Sequence, residues 1–325
     1  MQTTPFQPII KEVLPEGSAG SQRIQRMRQR VVNVQPEVCL ERARIATRVY
    51  KANEHLSPLP LRTQTFDAVL REMSLLILDD ELIVGHQSSK HRSAPLFPEF
   101  AVEWINDEIE TFYTRAQDKF YISDEDIQTF REEIYPYWTG KTFKDKMMTY
   151  MSEEVRKLRF DAGLISVGVH EESAIGHVLL DYQKILTHGF SGVKATIQEK
   201  IDALTSWKAE DLRAKQFYDA CLSVCDSVIA FARRYSELAT QLAEAEADPK
   251  RKAELLEIAK VCARVPEFPA ETFHEALQSF WFIQIVTQIY DNGVSISPGR
   301  FDQYMLPYYT QDIESGLQTK ESAQE

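Results

Sequence analysis

From about Ser21 to Tyr290 apolar residues recur every third or fourth position, with Glu, Lys, Arg and Gln between them. This 3.6-residue period commits the chain to helices packed on helices. Glycine and proline set the breaks. The spacing predicts a helix over 36–54 with Pro36 in its first turn, where a missing N–H costs nothing. Others are expected over 61–77 and 101–116. Ser123, followed three residues on by Asp126, opens another as a variant capping box, and the residue before Pro136 closes it. Further helices are expected over 141–160, 208–243, 248–264 and 271–290. The run DDELIVG ends at Gly85, and Pro95 and Pro98 keep the loop after it out of regular helix. DAGLISVGVHEESAIGH, with three glycines and two histidines, is the least regular interior stretch and the first place to look for a site. DNGVSISPGRFDQYMLPYY reads as a turn and a short strand, and TKESAQE as the start of a helix.

Composition narrows the function classes. Hydrophobic residues at 43% and charged residues at 26% describe a globular chain with ample material for a core. A net charge of −12 excludes nucleic acid as the expected partner, since such binding needs clustered cations on one face. The cations of Arg23–Arg30 read as the solvated side of an amphipathic helix. No stretch reaches the roughly 18 apolar residues of a membrane span, and the most apolar one, ALQSFWFIQIVTQIY, carries three glutamines. No membrane partner is expected, and the location expected is cytoplasmic. Residues 1–20 read as a flexible leader and 21–325 as one unit. Cys39, Cys221, Cys225 and Cys262 form no CxxC pair and read as buried reduced thiols.

The chemistry-bearing residues are few. His177 and Asp181 stand four apart and would share a face if helical, with His170, Glu171 and Glu172 the nearest further ligands. No HExxH occurs, so no metal site is expected. A histidine satisfied by a core hydrogen bond and a functional one fit this pattern equally well. Nucleophile elbow, Walker loop and dinucleotide fingerprint are absent from the sequence. Asp79, Asp80 and Glu81 read as a solvated helix end, and Tyr135, Tyr137 and Trp138 as core. The helix over 271–290, apolar on several faces, should be buried on more than one side, and some of that surface is expected to be exposed here.

Several segments taken in order carry a resemblance: RIQRMRQRVVNVQPEVCLERARIAT, DDELIVG, RSAPLFPEF with WINDEIE, FYISDEDIQTFREEIYPYW, GHVLLDYQKILTHGFSG, KRKAELLEIAKVCARVP and NGVSISPGRFDQYMLPYY. Together they resemble the N-terminal part of glycyl radical enzymes of the pyruvate formate-lyase-like family, nearest in motif to glycerol and diol dehydratases. The resemblance implies a mainly α fragment forming the helical N-terminal part of a ten-stranded α/β barrel, its first strand near 293–298. It also implies a protein glycyl radical in place of a bound cofactor, installed by a radical S-adenosylmethionine activating enzyme, and a homodimer at full length. Motifs like GCVE, for the catalytic cysteine, and RVAGY, for the radical glycine, do not occur in these residues. The catalytic residues are therefore expected outside this chain, and a complementary C-terminal chain is an implied partner.

Carried over residue by residue, His177 matches a histidine that contacts a substrate hydroxyl, and Ser295 a serine beside the same small-molecule substrate. Val294 departs from the pattern, since glycerol dehydratases have histidine there. The resemblance thus implies a cobalamin-independent dehydratase for a small alcohol or diol with one fewer hydroxyl than glycerol or a more apolar flank. Formate acetyltransferase-type acyl transfer is the alternative within the family, and it would need an anion-binding arginine pair that has no place in this sequence. A non-catalytic fragment or half of a split enzyme is the alternative outside it.

Overall fold

A computed structural model describes residues 22–164, 176–204, 208–293 and 295–325. The helical period is realised as α1 (Gln22–Asn33), α2 (Glu41–Ala52), α3 (Pro58–Glu72), α4 (Glu103–Glu108), α5 (Asp124–Thr129), α6 (Tyr135–Trp138), α7 (Phe143–Met148), α8 (Glu153–Arg156), α9 (Tyr182–Asp202), α10 (Ala209–Ala245), α11 (Pro249–Arg264), α12 (Phe273–Asp291), α13 (Phe301–Glu314) and α14 (Lys320–Gln324). Two short strands, β1 (Glu37–Cys39) and β2 (Ser93–Pro95), pair in parallel with Glu37 opposite Ser93. The strand expected near 293–298 contributes one bridge residue, Ser297.

Five expected helices begin or end differently. The one over 61–77 is α3, which ends at Glu72, where Arg234 of α10 takes the carbonyls of Leu70 and Met73 at 2.5 and 2.6 Å. Pro36 precedes β1 instead of opening a helix, because Glu37 donates to the Arg92 carbonyl at 3.0 Å and Val38 to the Tyr121 carbonyl at 2.8 Å. Those tertiary partners satisfy the backbone better than a first helical turn would. The helix opened by Ser123, which accepts from Asp126 N, runs through Pro136 to Trp138. Residues Phe130–Ile134 widen into a π-turn, and Tyr135 N reaches back to the Phe130 carbonyl, so a proline with no N–H to donate is accommodated. The helix expected over 101–116 shortens to α4 and a 3-10 turn at Ile109–Thr111. The one over 141–160 divides into α7 and α8, because Thr142 and Ser152 cap helices of their own.

Two cores meet along α2. Ile45 and Val49 join Phe66 and Leu70 of α3, Phe231 and Tyr235 of α10, Ile258 of α11 and Phe282 of α12. Leu40 and Ala43 join Leu96, Ile105, Phe130 and Trp138. Phe231 lies edge-on to Tyr235 at 5.2 Å, a geometry that adds about 1 kcal/mol to burial alone. Trp138 donates to Thr47 Oγ1 at 2.9 Å, so the expected aromatic core forms and its indole N–H is satisfied. A third cluster joins Leu186 of α9, Val261 of α11, Ala276 of α12 and Met305 of α13.

Helix α12 is largely enclosed by this chain's own elements: Phe282, Ile283, Ile285, Val286 and Ile289 are buried, while Phe280 and Trp281 are half-buried. Exposed apolar side chains occur elsewhere, among them Phe143, Tyr150, Phe160 and Leu164, and Leu179, Phe217 and Leu306. Gln278 exchanges hydrogen bonds with both backbone groups of Val84, at 2.8 and 2.7 Å, and Trp281 donates to the Gly85 carbonyl at 2.9 Å. The DDELIVG segment is thereby docked lengthwise on α12.

The expected solvation holds for Arg26, Arg28 and Asp79, which are exposed, but not for Arg23 and Glu81, and the two charged sets are paired with each other. Glu81 is buried and accepts from Leu78 N, and its carboxylate lies 2.8 Å from the His86 ring. Arg23 is buried, donating to the Asp80 carbonyl and pairing with Glu254. Arg26 grips the Asp80 carboxylate at 2.6 and 3.0 Å, and Arg30 lies 3.4 Å from it. The hydrogen bond from Arg26 holds the Asp80 carboxyl below the usual range, with Arg23 and Arg30 acting in the same direction. Burial raises the Glu254 carboxyl, but hydrogen bonds from Arg23 and Arg251 outweigh it and leave it lowered.

A carboxylate whose pKa is lower in the folded than in the unfolded state contributes stability that is present above the unfolded value. That stability is lost as pH falls through the folded one. Docking of α1 is therefore expected to weaken as pH falls below about 4. Hydrogen exchange of α1 amides across that range measures it, and Asp80→Asn should flatten the dependence.

Candidate functional site

Two segments far apart in sequence lie side by side. Leu179 pairs with Ser297 in a parallel bridge, and Ser297 N donates to the Val178 carbonyl at 3.2 Å. His177 and Ser295 each lie two residues before this bridge, and both are exposed. The bridge joins the segments that carry two of the three residues singled out in the sequence. Val294, the third, lies outside the described residues, as do His170, Glu171 and Glu172.

His177 is not helical. Asp181 caps α9 by accepting from Lys184 N at 3.1 Å, so the helix begins at Tyr182. The shared helical face expected for His177 and Asp181 does not form, because the shorter N-cap hydrogen bond uses the aspartate. Seven residues into α9, Gly189 breaks the helix at φ 62°. A Cβ there would meet the Phe268 backbone at 2.6 Å, a close approach that needs glycine.

The Ser295 segment leaves α12 through three left-handed residues. Asn292 (φ 56°) ends the helix, Gly293 (φ 53°) follows, and Ser295 itself stands at φ 62°. A Cβ on Gly293 would meet Gln288 Cα at 3.0 Å. A serine held in this region costs about 1 kcal/mol or more, so the surroundings must impose it. Past the bridge, a Cβ on Gly299 would meet Leu179 Cδ1 at 2.7 Å, so the two segments pack without a gap.

An aromatic floor supports both segments. Tyr182 is fully buried, stacks on Tyr304 at 5.9 Å and lies 4.7 Å from Phe280. Its hydroxyl donates to Gln284 Oε1 of α12, and that of Tyr304 donates to the Pro298 carbonyl at 2.7 Å. Burial pushes the Tyr182 hydroxyl up to about 12, so it keeps its proton and remains a donor. Sequence reasoning missed Tyr182, Gln284 and Tyr304. The signal available was Gln284, set between Ile283 and Ile285 in the most apolar part of the helix.

Other candidate groups stand apart from these segments. Among the described residues no three His, Cys, Asp or Glu side chains converge as metal ligands. Cys225 is pushed up to about 12 by burial and Cys262 is raised in the same way, as befits thiols that pack a core. A groove of about 600 Å³ between α3, α9 and α10 is lined by Arg71, Lys194, Asp226, Arg233 and Glu267. Its cations are paired, Arg71 with Asp67, Lys194 with Asp226 and Arg233 with Glu267.

Comparison with known proteins places this geometry. The model of a family described as pyruvate formate lyase-like matches residues 16–325. The isethionate sulfite-lyase of Nitratidesulfovibrio vulgaris is 37% identical over 302 residues, covering 90% of this chain and 36% of that protein. A structure of 1,2-propanediol dehydration in Roseburia inulinivorans superposes with a TM-score of 0.90 at 40% identity, covering 94% of this chain and 36% of that one. The glycerol-bound B12-independent glycerol dehydratase of Clostridium butyricum gives 0.90 at 35% identity, over 95% and 39%. The chain thus spans less than two-fifths of the length of each of these three proteins.

The strain at Ser295 is measurable. Ser295→Gly is expected to hold stability or raise it by up to about 1 kcal/mol, whereas Ser295→Val should lower it by more than about 1 kcal/mol. Denaturant midpoints of the two variants against the parent chain check both signs.

Proposed function

Because the chain belongs to the pyruvate formate-lyase-like family, whose relatives described above include lyases and dehydratases, we propose that it is the N-terminal portion of a glycyl radical dehydratase, a cobalamin-independent carbon–oxygen lyase for a small diol. The observation that carries this reading is the bridge between Leu179 and Ser297, which joins the segment carrying His177 to the one carrying Ser295. An imidazole and a hydroxyl, each two residues before the bridge, offer two hydrogen-bonding groups, which suits the two neighbouring hydroxyls of a vicinal diol. Held this way, one hydroxyl is oriented and the other receives a hydrogen bond that assists its loss as water. The glycyl radical supplies hydrogen abstraction from substrate carbon in such enzymes. Its glycine and the partner cysteine are expected in a ten-stranded barrel outside these residues, with a radical S-adenosylmethionine activating enzyme installing the radical.

Charge favours a neutral diol over a sulfonate. Isethionate, named for one relative, would need fixed cations, and among the described residues of 176–181 and 292–300 the one arginine or lysine is Arg300. Its guanidinium is exposed and paired with Asp302 at 3.1 Å. Val294 at the position of a histidine in glycerol dehydratases favours propane-1,2-diol over glycerol.

The chain alone is expected to show no turnover and no glycyl radical signal by electron paramagnetic resonance. Co-expressed with a C-terminal complement and an activating enzyme, it should dehydrate propane-1,2-diol. His177→Ala should lower kcat/KM by about tenfold or more, the worth of one substrate hydrogen bond. Val294→His should raise the preference for glycerol by a similar factor. Turnover by the chain alone, or faster turnover of isethionate than of the diol by the reconstituted enzyme, would refute this reading.

A further inference from the structure

The last carbonyls of a helix lack partners within it, and the helix dipole leaves that end negative. At the end of α12 a buried guanidinium meets this need. Arg42 Nε donates to the Ile289 carbonyl at 2.7 Å and Nη2 to the Tyr290 carbonyl at 3.3 Å. Nη1 donates to the Leu96 carbonyl at 3.3 Å and to Glu99 Oε2 at 3.1 Å, and Nη2 donates to Glu99 Oε1. An arginine has five N–H donors. Each of the five has an acceptor here, and the guanidinium also lies over the Phe97 ring at 3.8 Å.

This clamp sits immediately upstream of the Ser295 turn. Four residues, Asp291 to Val294, separate the held carbonyl of Tyr290 from Ser295, and Asn292 and Gly293 among them take left-handed backbone. Downstream, the turn is tied by the bridge from Ser297 to the Val178 carbonyl. A tight turn with both ends fastened has little freedom, so the placement of Ser295 follows the end of α12. Arg62 adds a second cation at that end, 3.8 Å from Asp291 and over the Tyr290 ring at 4.7 Å.

The geometry points to Arg42 as a positioning residue that sets the Ser295 turn, and hence its half of the diol contact, by fastening the carbonyls of Ile289 and Tyr290 in the last turn of α12. The substrate half of this inference rests on the dehydratase reading; the positioning half does not. A lysine keeps the charge but has a single ammonium, and it cannot reach Ile289, Tyr290 and Glu99 in the same fork.

Arg42→Lys and Glu99→Gln are compared with the parent chain by hydrogen exchange, alongside titration with propane-1,2-diol followed by nuclear magnetic resonance. In Arg42→Lys, amides of 289–297 should exchange about tenfold or more faster, the worth of a charge-assisted hydrogen bond, with diol affinity falling by a similar factor. Amides of Phe231–Tyr235 in the main core should change by less than about twofold. Glu99→Gln, which leaves the guanidinium in place, should give the same local pattern at smaller amplitude and stands in if Arg42→Lys does not fold. Uniform acceleration through α10 and α12 would reduce Arg42 to general stability, and unchanged exchange at 289–297 would remove it from the turn. Either result overturns the inference. If the chain reconstituted with its C-terminal complement also takes no diol while the local contrast persists, the dehydratase reading falls and the positioning role stays supported.

Discussion

Helix α12 is buried on several faces, and its long polar side chains find partners there, Ser279 Oγ being the exception, because an unpaired buried donor or acceptor costs roughly 1–3 kcal/mol. The structure is organised around those partners. Gln278 takes the backbone of Val84, Trp281 the carbonyl of Gly85, and His274 lies 2.9 Å from the carbonyl of Leu82. Gln284 takes the hydroxyl of Tyr182 and so joins α9 to α12. At the far end the carbonyls of Ile289 and Tyr290 take Arg42. Packing brings these elements together, and the polar contacts fix their register along the helix.

The candidate site follows from this arrangement. It consists of two backbone segments that leave helices at defined points, one before Asp181 and one after Asp291. The two meet at a single bridge, Leu179 to Ser297. Strain in the Ser295 turn is tolerated because the helix end, the bridge and the packing of Leu179 against Gly299 over-determine it. The floor beneath is aromatic and its hydroxyls are occupied, leaving His177 and Ser295 on the exposed side.

Much of the helical plan was legible in the sequence, and the failures have identifiable causes. Ser123 and the long helices α10 to α12 emerged near the expected residues, since amphipathic period and caps are local signals. Pro36 and Pro136 were misjudged because their surroundings supply compensation that no local rule contains: neighbouring strand partners for one and a π-turn for the other. Arg23, Arg26 and Arg30 of α1 and the run Asp79–Glu81 each read locally as solvated surface. Separately either inference is sound, but the two sets are partners across more than fifty residues of sequence, and partnership is a property of the fold.

By itself the amino-acid sequence determined that this is a helical chain and, through ordered motifs, the family it resembles. It also marked His177, Ser295 and Val294 as residues to watch. Tertiary structure alone decided that His177 stands outside the helix, that its segment runs parallel to that of Ser295, and that Arg42 from a distant helix holds the end of α12. The division is physical. Helical period and capping act within a few residues and are written locally, whereas hydrogen-bond satisfaction in a core is met by whichever group packing delivers, often from the other end of the chain.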